Sequence, residues 1–172
     1  MSDEQAQLSE ILERRRQANS GILDVEAPTA QMVIFALGNE LFAFPGANIT
    51  EILPLSPIYF VPGCPPSLEG VINVRGDIAS VIRLSDLLGV ERAAIGRRTA
   101  ILMGQGGGMR SGLRVDRVED VLDVVRDTIH DPPCTLPEEL RPLATGVFEH
   151  RGRMVLALDL ERLFQDYRAG LG

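Results

Sequence analysis

The stretch Gly70-Val71-Ile72-Asn73-Val74-Arg75-Gly76 returns 76 residues later as Gly146-Val147-Phe148-Glu149-His150-Arg151-Gly152. Beyond it Leu84 falls on Leu160 and Leu87 on Leu163. Each copy reads as a strand, an Arg-Gly turn, a second strand and a short helix. Upstream the chain repeats at a different offset, 69, which lays Ile49-Thr50-Glu51-Ile52-Leu53 on Val118-Glu119-Asp120-Val121-Leu122. Apolar positions meet apolar positions, and Glu51 meets Asp120. The two offsets make the second copy longer by about seven residues, near the Pro132-Pro133 loop. The pattern predicts two similar β-lobes related by a pseudo-two-fold, with a groove at their junction where a ligand or partner can sit.

Working outward, the texture from Gln31 onward is β. Met32–Leu37 and Leu41–Phe44 are short apolar runs split by Gly38-Asn39, a hairpin signal. Further runs follow at Thr99–Met103, Leu113–Val125 and Met154–Leu158. Many short strands with Gly and Pro between them point to small barrels. One short helix is predicted from a cap at Ser85 to a stop at Gly89, and another from Asp159 to about Tyr167. Residues 1–29 form a separate N-terminal extension, and the folded domain spans 30–168. Ser2 and Gln5 have capping-box spacing, and Asp3–Ala18 is rich in helix formers, ending at Asn19-Ser20-Gly21. Leu8, Ile11 and Leu12 make only a narrow stripe, which suits a solvated extension or a helix that docks on a partner.

The composition of the 172 residues excludes several functions. Net charge is −7, a surface that repels nucleic-acid phosphates and anionic lipid. All 17 basic residues are Arg, so no lysine is present to bind phosphate or form a Schiff base. Gly104-Gln105-Gly106-Gly107-Gly108 lacks the Lys-Ser/Thr of a phosphate loop and precedes a strand, so it reads as a hairpin turn. His130 and His150 have no neighbouring nucleophile. Gly108-Met109-Arg110-Ser111-Gly112 places its serine one position late for a nucleophile elbow. Asp116, Glu119, Asp120 and Asp123 have no metal-loop spacing, and Cys64 and Cys134 make neither a zinc site nor a disulfide framework. No apolar run approaches the roughly 20 residues that span a bilayer. The acidic, polar start does not read as a signal peptide, which points to the cytoplasm. The expectation is therefore a chain that is not an enzyme and needs no cofactor or metal. A small-ligand-binding β-barrel is the alternative from another class. Glu51 and Arg75 are expected to form a structural ion pair, because the carboxylates repeat in step with the two arginines.

Val33–Phe44, Ile49-Thr50-Glu51-Ile52, Val61-Pro62, the Gly70–Gly76 block, Leu84–Gly89 and Gly112–Leu122 together resemble the CheW family of bacterial chemotaxis coupling proteins. The resemblance covers about residues 30 to 168. It implies a mostly β fold: two SH3-like five-stranded β-barrel lobes around a shared hydrophobic core, with short helices. It implies a non-catalytic adaptor that joins the cytoplasmic tip of a chemoreceptor to the regulatory domain of a CheA-type histidine kinase. It also implies recruitment to membrane-associated receptor arrays without membrane insertion. Carried over, the receptor-binding groove is Ile49, Gly70 and Val118, with Glu51 and Arg75 fixing its wall and the glycine allowing close helix approach. The sequence departs from the family pattern at Arg83, where Asp is usual, at Ser85, and in Asp77-Ile78-Ala79-Ser80-Val81, which lacks the usual Pro. Those changes bear on which kinase or receptor is used, and the N-terminal helix suits a specialised paralogue serving a non-flagellar chemosensory-type pathway.

Overall fold

A computed structural model describes residues 2–16 and 27–171 of the chain. The elements, in chain order, are helix α1 (Ser2–Arg16), strands β1 (Thr29–Leu37), β2 (Glu40–Pro45), β3 (Ile49–Pro54), β4 (Leu68–Val74) and β5 (Asp77–Arg83), and helix α2 (Leu84–Leu88). Then come β6 (Ala100–Gly106), β7 (Met109–Val115), β8 (Arg117–Val125), β9 (Ala144–His150), β10 (Arg153–Leu158) and helix α3 (Leu160–Leu171). The strands form two five-stranded sheets, in the orders β8-β1-β2-β10-β9 and β3-β6-β7-β5-β4.

The two orders are the same pattern. β6 and β7 repeat β1 and β2, β8 repeats β3, and β9, β10 and α3 repeat β4, β5 and α2. In each sheet only one neighbouring pair is parallel, β2 with β10 and β7 with β5. Each sheet therefore takes the first two strands of one repeat and the last three of the other. The lobes are related as the sequence predicts, but neither lobe is one half of the chain.

Burial follows from this weave. Both faces of β1 are covered, so its run is continuously apolar rather than alternating. Val33, Phe35 and Leu37 enter a core shared by the two sheets, where Phe42, Phe44, Leu102, Leu113, Leu156 and Phe164 meet them. Met32, Ile34 and Ala36 enter a second core inside their own lobe, with Val155 and Ala157. β6 does the same in the other lobe: Leu102 faces the shared core, while Ile101 and Met103 pack with Ile72 and Val81. Two small lobe cores thus flank a larger central one.

The predicted punctuation holds in most places. β1 turns into β2 at Gly38-Asn39, and β6 into β7 at Gly107-Gly108, whose φ values of 58° and 75° explain the glycines. The run Leu113–Val125 is not one strand. It breaks at Asp116, whose backbone N–H donates to Ala36 O (3.0 Å) and whose carboxylate accepts from the Gly38 N–H (2.5 Å). That bend turns the chain from β7 in one sheet into β8 in the other. α2 begins at Leu84 behind Arg83, with no side-chain cap, so Ser85 is inside the helix rather than at its cap; Gly89 ends it in the left-handed region as expected. α3 begins at Leu160 behind Asp159, whose carboxylate accepts from Arg162 N at 3.1 Å, and runs four residues past Tyr167. α1 exposes Leu8, Ile11 and Leu12 to solvent; the helix end predicted at Ala18 to Gly21 lies outside the described residues.

Candidate partner-binding groove

β3 and β8, the two strands that repeat at the 69-residue offset, carry the groove residues. Each has an irregularity at the same place. On β3 the register to β6 shifts at Thr50, so Ile49 opposes Gly104 and Glu51 opposes Met103. On β8 it shifts at Glu119, so Val118 opposes Phe35 and Asp120 opposes Ile34. The extra residue reverses the alternation of side chains. Before it, Ile49 and Val118 are half-buried against the shared core. After it, Leu53 and Leu122 turn into their own lobe cores, and Ile52 and Val121 turn outward. Ile52 is 42% exposed and Val121 43%. These two mates line one groove of about 280 Å³ together with Gln31, Val33, Ile49 and Glu51. Of the sequence-predicted groove residues, Ile49 lines it and Val118 and Gly70 do not.

An ion pair stands beside each arm. Arg75 donates to Glu51 at 2.5 Å, and Arg151 lies 3.6 Å from Asp120. Both arginines sit at the first central position of a two-residue hairpin turn, with φ of 53° and 51°, followed by Gly76 and Gly152, also at positive φ. The combination is that of a type I′ turn, which prefers Asn, Asp or Gly at the first position. Asn73 Oδ1 accepts from Gly76 N (2.8 Å) and braces the first turn. A long side chain in the left-handed region is strained, by about 1–3 kcal/mol. The same choice is made twice. From this turn the guanidinium meets a carboxylate on the strand at the other end of the sheet order, and Arg75 is 79% and Arg151 75% exposed in doing so. An ion pair so open to water contributes at most about 1 kcal/mol to stability. The second arm differs in one more respect: His150, where the first has Val74, places Nε2 3.6 Å from Asp120, buried and without a hydrogen-bond partner.

Gly70 does not line the groove. A Cβ there would lie 2.3 Å from the Tyr59 carbonyl oxygen. Tyr59 and Val71 exchange backbone hydrogen bonds of 2.8 and 2.9 Å, which presses the segment onto β4. Gly146 repeats the device: its Cβ would meet Ile129 Cγ2 at 2.5 Å, beside the paired His130 and Val147. The small residue serves an approach by the chain itself, where the sequence reading gave it to a partner helix.

Other charged groups are structural. Glu69 accepts from Arg114 at 2.7 Å, and each side chain is only 12% exposed. Arg83, the departure from the family pattern, lies 3.6 Å from both Glu69 and Asp86 and so joins β4, β5 and α2. Arg92 clasps Asp86 with bonds of 2.8 and 2.7 Å, and the hydrogen bond raises its pKa further. Glu119 pairs with Arg117 two residues away on β8, and that bond holds its carboxyl below the usual carboxylate range. Among the described residues no group of three or more His, Cys, Asp or Glu could hold a metal. Cys64 and Cys134 are free thiols. A separate hollow of about 470 Å³ is lined by Leu41, Val90, Leu136, Leu140, Met154 and others, and Glu40 is its one charged residue. It lacks the convergent polar groups that orient a small ligand or run hydrolysis.

The sequence signal that pairs Ile52 with Val121 is present in the 69-residue register. That these two, rather than Ile49 and Val118, are the outward pair depends on the bulge, which leaves no mark in the residue types.

Two five-stranded sheets woven from both repeats around a shared core, with a groove between β3 and β8, define a two-lobed β-domain class. The chain belongs to the CheW-like domain family, whose profile matches residues 31–168. It is 30% identical to a probable chemotaxis protein CheW of Rhizobium etli over 136 residues, 79% of this chain and 88% of that one. It is 29% identical to Protein PilI of Pseudomonas aeruginosa over 76% of this chain and 73% of that one. The crystal structure of the scaffolding protein TtCheW from Thermoanaerobacter tengcongensis superposes with a TM-score of 0.70, at 27% identity, over 79% of this chain and 88% of that chain.

Proposed function

We propose that the protein is a non-catalytic adaptor that couples chemoreceptors to a CheA-type histidine kinase, and that the β3–β8 groove takes the receptor's cytoplasmic tip. The observation that carries the reading is the groove itself: two outward apolar residues from separate sheets, framed by two Arg–carboxylate pairs, in a chain of the CheW-like family. Val33 and Ile49 form its inner wall, Val118 packs beneath against the shared core rather than lining it, and Ile52 and Val121 offer themselves to a helix. Glu51 and Arg75 hold the wall. Gly70 supports it from behind, by letting the Tyr59 segment lie flat on β4. Coupling needs no chemistry in the adaptor, because holding receptor and kinase together raises the effective concentration of each for the other. No helix among the described residues is long and apolar enough to cross a membrane, so recruitment to an array would come from the receptor.

The test is titration calorimetry with a purified chemoreceptor hairpin fragment and, separately, with the kinase regulatory domain. Ile52→Arg should weaken receptor binding at least tenfold and leave kinase binding within twofold. Unchanged receptor binding would remove the groove assignment. A second reading, an adaptor in a pathway with a non-flagellar output, is favoured by the similarity to PilI, which is not named for chemotaxis. Scoring swimming and surface movement separately in a deletion strain distinguishes the two.

A further inference from the structure

A smaller hollow, of about 260 Å³, shares no residue with the β3–β8 groove. It is lined by Leu87 of α2, by Leu163, Asp166 and Tyr167 of α3, and by Glu139 and Leu143 from the stretch before β9. Leu87 and Leu163 are mates in the repeat, so both copies supply an apolar wall. The polar groups are not repeated. At the 76-residue offset Asp166 and Tyr167 fall on Val90 and Glu91, and Glu139 comes from the stretch between β8 and β9, where the second copy is longer.

Each polar group of the lining has bonding capacity that the fold leaves unused. Glu139 makes no ion pair among the described residues. Its carboxyl stands at the end of α2, where a Cβ on Gly89 would meet its Cδ at 3.6 Å. Asp166 has Arg162, one turn earlier on α3, at 3.0 and 3.2 Å, with both side chains about half exposed. A pair so open to water contributes little and exchanges readily. Tyr167 is 8% exposed, and its hydroxyl is buried with no hydrogen-bond partner. A buried hydroxyl in that state costs free energy that a ligand bonding to it would recover. No arginine or histidine belongs to the lining.

We propose that this hollow binds a small organic cation, one guanidinium or ammonium group on a short aliphatic stem. The stem lies among Leu87, Leu143 and Leu163. The head meets the carboxylates of Glu139 and Asp166, and the Tyr167 oxygen accepts an N–H. Such a head carries donors and no acceptor, which complements a lining of two carboxylates and an unpartnered phenol. The tyrosine ring adds attraction for a cation over its face. A net charge of −7 draws cations toward the surface as a whole. The volume falls just under the roughly 300–1,000 Å³ of pockets that hold drug-sized molecules, so it suits a ligand of few atoms. The site is independent of the receptor-tip reading above.

The experiment is calorimetric titration of the full chain with n-butylguanidinium and with n-butylurea, which has the same shape and no charge. The expected dissociation constant for the cation is about 1 mM or below, as its size allows, with the urea at least tenfold weaker. Glu139→Gln should weaken the cation at least fivefold. Tyr167→Phe should weaken it at least threefold, with a melting midpoint no lower than the parent's because the hydroxyl has no partner to lose. The chain has two tyrosines and no tryptophan, so in Tyr59→Phe the emission comes from Tyr167 alone. That emission should change with the same dissociation constant. Equal binding of the urea, Glu139→Gln within twofold of the parent, or unaltered Tyr167 emission overturns the site. A lowered midpoint in Tyr167→Phe overturns the part given to the hydroxyl. N-acetylargininamide distinguishes the source of the cation: tighter binding than n-butylguanidinium assigns it to an arginine of a partner protein, and weaker binding assigns it to a free metabolite. Either result supports the site, and failure of both compounds to bind overturns it.

Discussion

At the scale of the residue, Gly70 and Arg75 show how one short motif serves two masters. Gly70 is small because the Tyr59 carbonyl occupies the space of its Cβ. Arg75 is strained because its guanidinium must reach Glu51 from a turn that disfavours it. Gly70→Ala should therefore cost about 1–3 kcal/mol, the usual penalty of overpacking a filled site, and urea unfolding would measure it. Gly146→Ala should behave alike, because Ile129 and His130 crowd the same position there. A wild-type midpoint in both variants would show that the crossing segments give way freely. Sequence displayed these glycines and arginines as a repeat and predicted the pairing of Glu51 with Arg75. It assigned Gly70 to a close helix approach and did not disclose the Tyr59 carbonyl against it, because nothing in the residue types says that the segment around Tyr59 folds back onto β4.

At the scale of the element, strands and turns were largely legible. Gly38, the Gly107-Gly108 pair after β6 and Gly89 each sit where φ is positive, and composition announces that directly. Two things were hidden. Asp116 splits the predicted strand run Leu113–Val125 by capturing the Gly38 amide from another part of the chain. The bulges at Thr50 and Glu119 decide which of Ile49 and Ile52, or Val118 and Val121, faces outward. A third element-level feature is the cluster of Glu69, Arg83, Arg114 and Asp86, which ties β4, β5, β7 and α2 together. Glu69 stands between two arginines and is 12% exposed. Glu69→Gln would leave both cations short of a partner in a partly buried place, at a cost of about 3 kcal/mol. The double change Glu69→Leu with Arg114→Met should recover part of that loss. A chemical-denaturation series that ranks the single variant as no worse than the double would show that the cluster is a solvated surface feature.

At the scale of the whole molecule, the repeat and the two lobes were visible in the sequence, and the shared core was what the family resemblance implied. The weave of the lobes was not visible, because the residue pattern of a strand does not record which copy it pairs with. β1 and β2 need β8, β9 and β10 from the far half to complete their sheet, and β6 and β7 need β3, β4 and β5. Neither half on its own owns a closed sheet or either lobe core. Fragments 27–96 and 97–171 should each be unfolded alone by far-ultraviolet circular dichroism and should regain the spectrum of the intact chain when mixed. A fragment that folds by itself would contradict the interdependence of the two halves. The same weave speaks to ancestry. A polypeptide carrying a single set of these strands could finish its sheets only by exchanging them with an identical molecule, as a symmetric dimer whose existence depended on its abundance. Fusing two such genes end to end removes that dependence on concentration. It also releases each copy to change alone, and the histidine that stands at position 150, opposite a valine in the first copy, is one mark of that freedom.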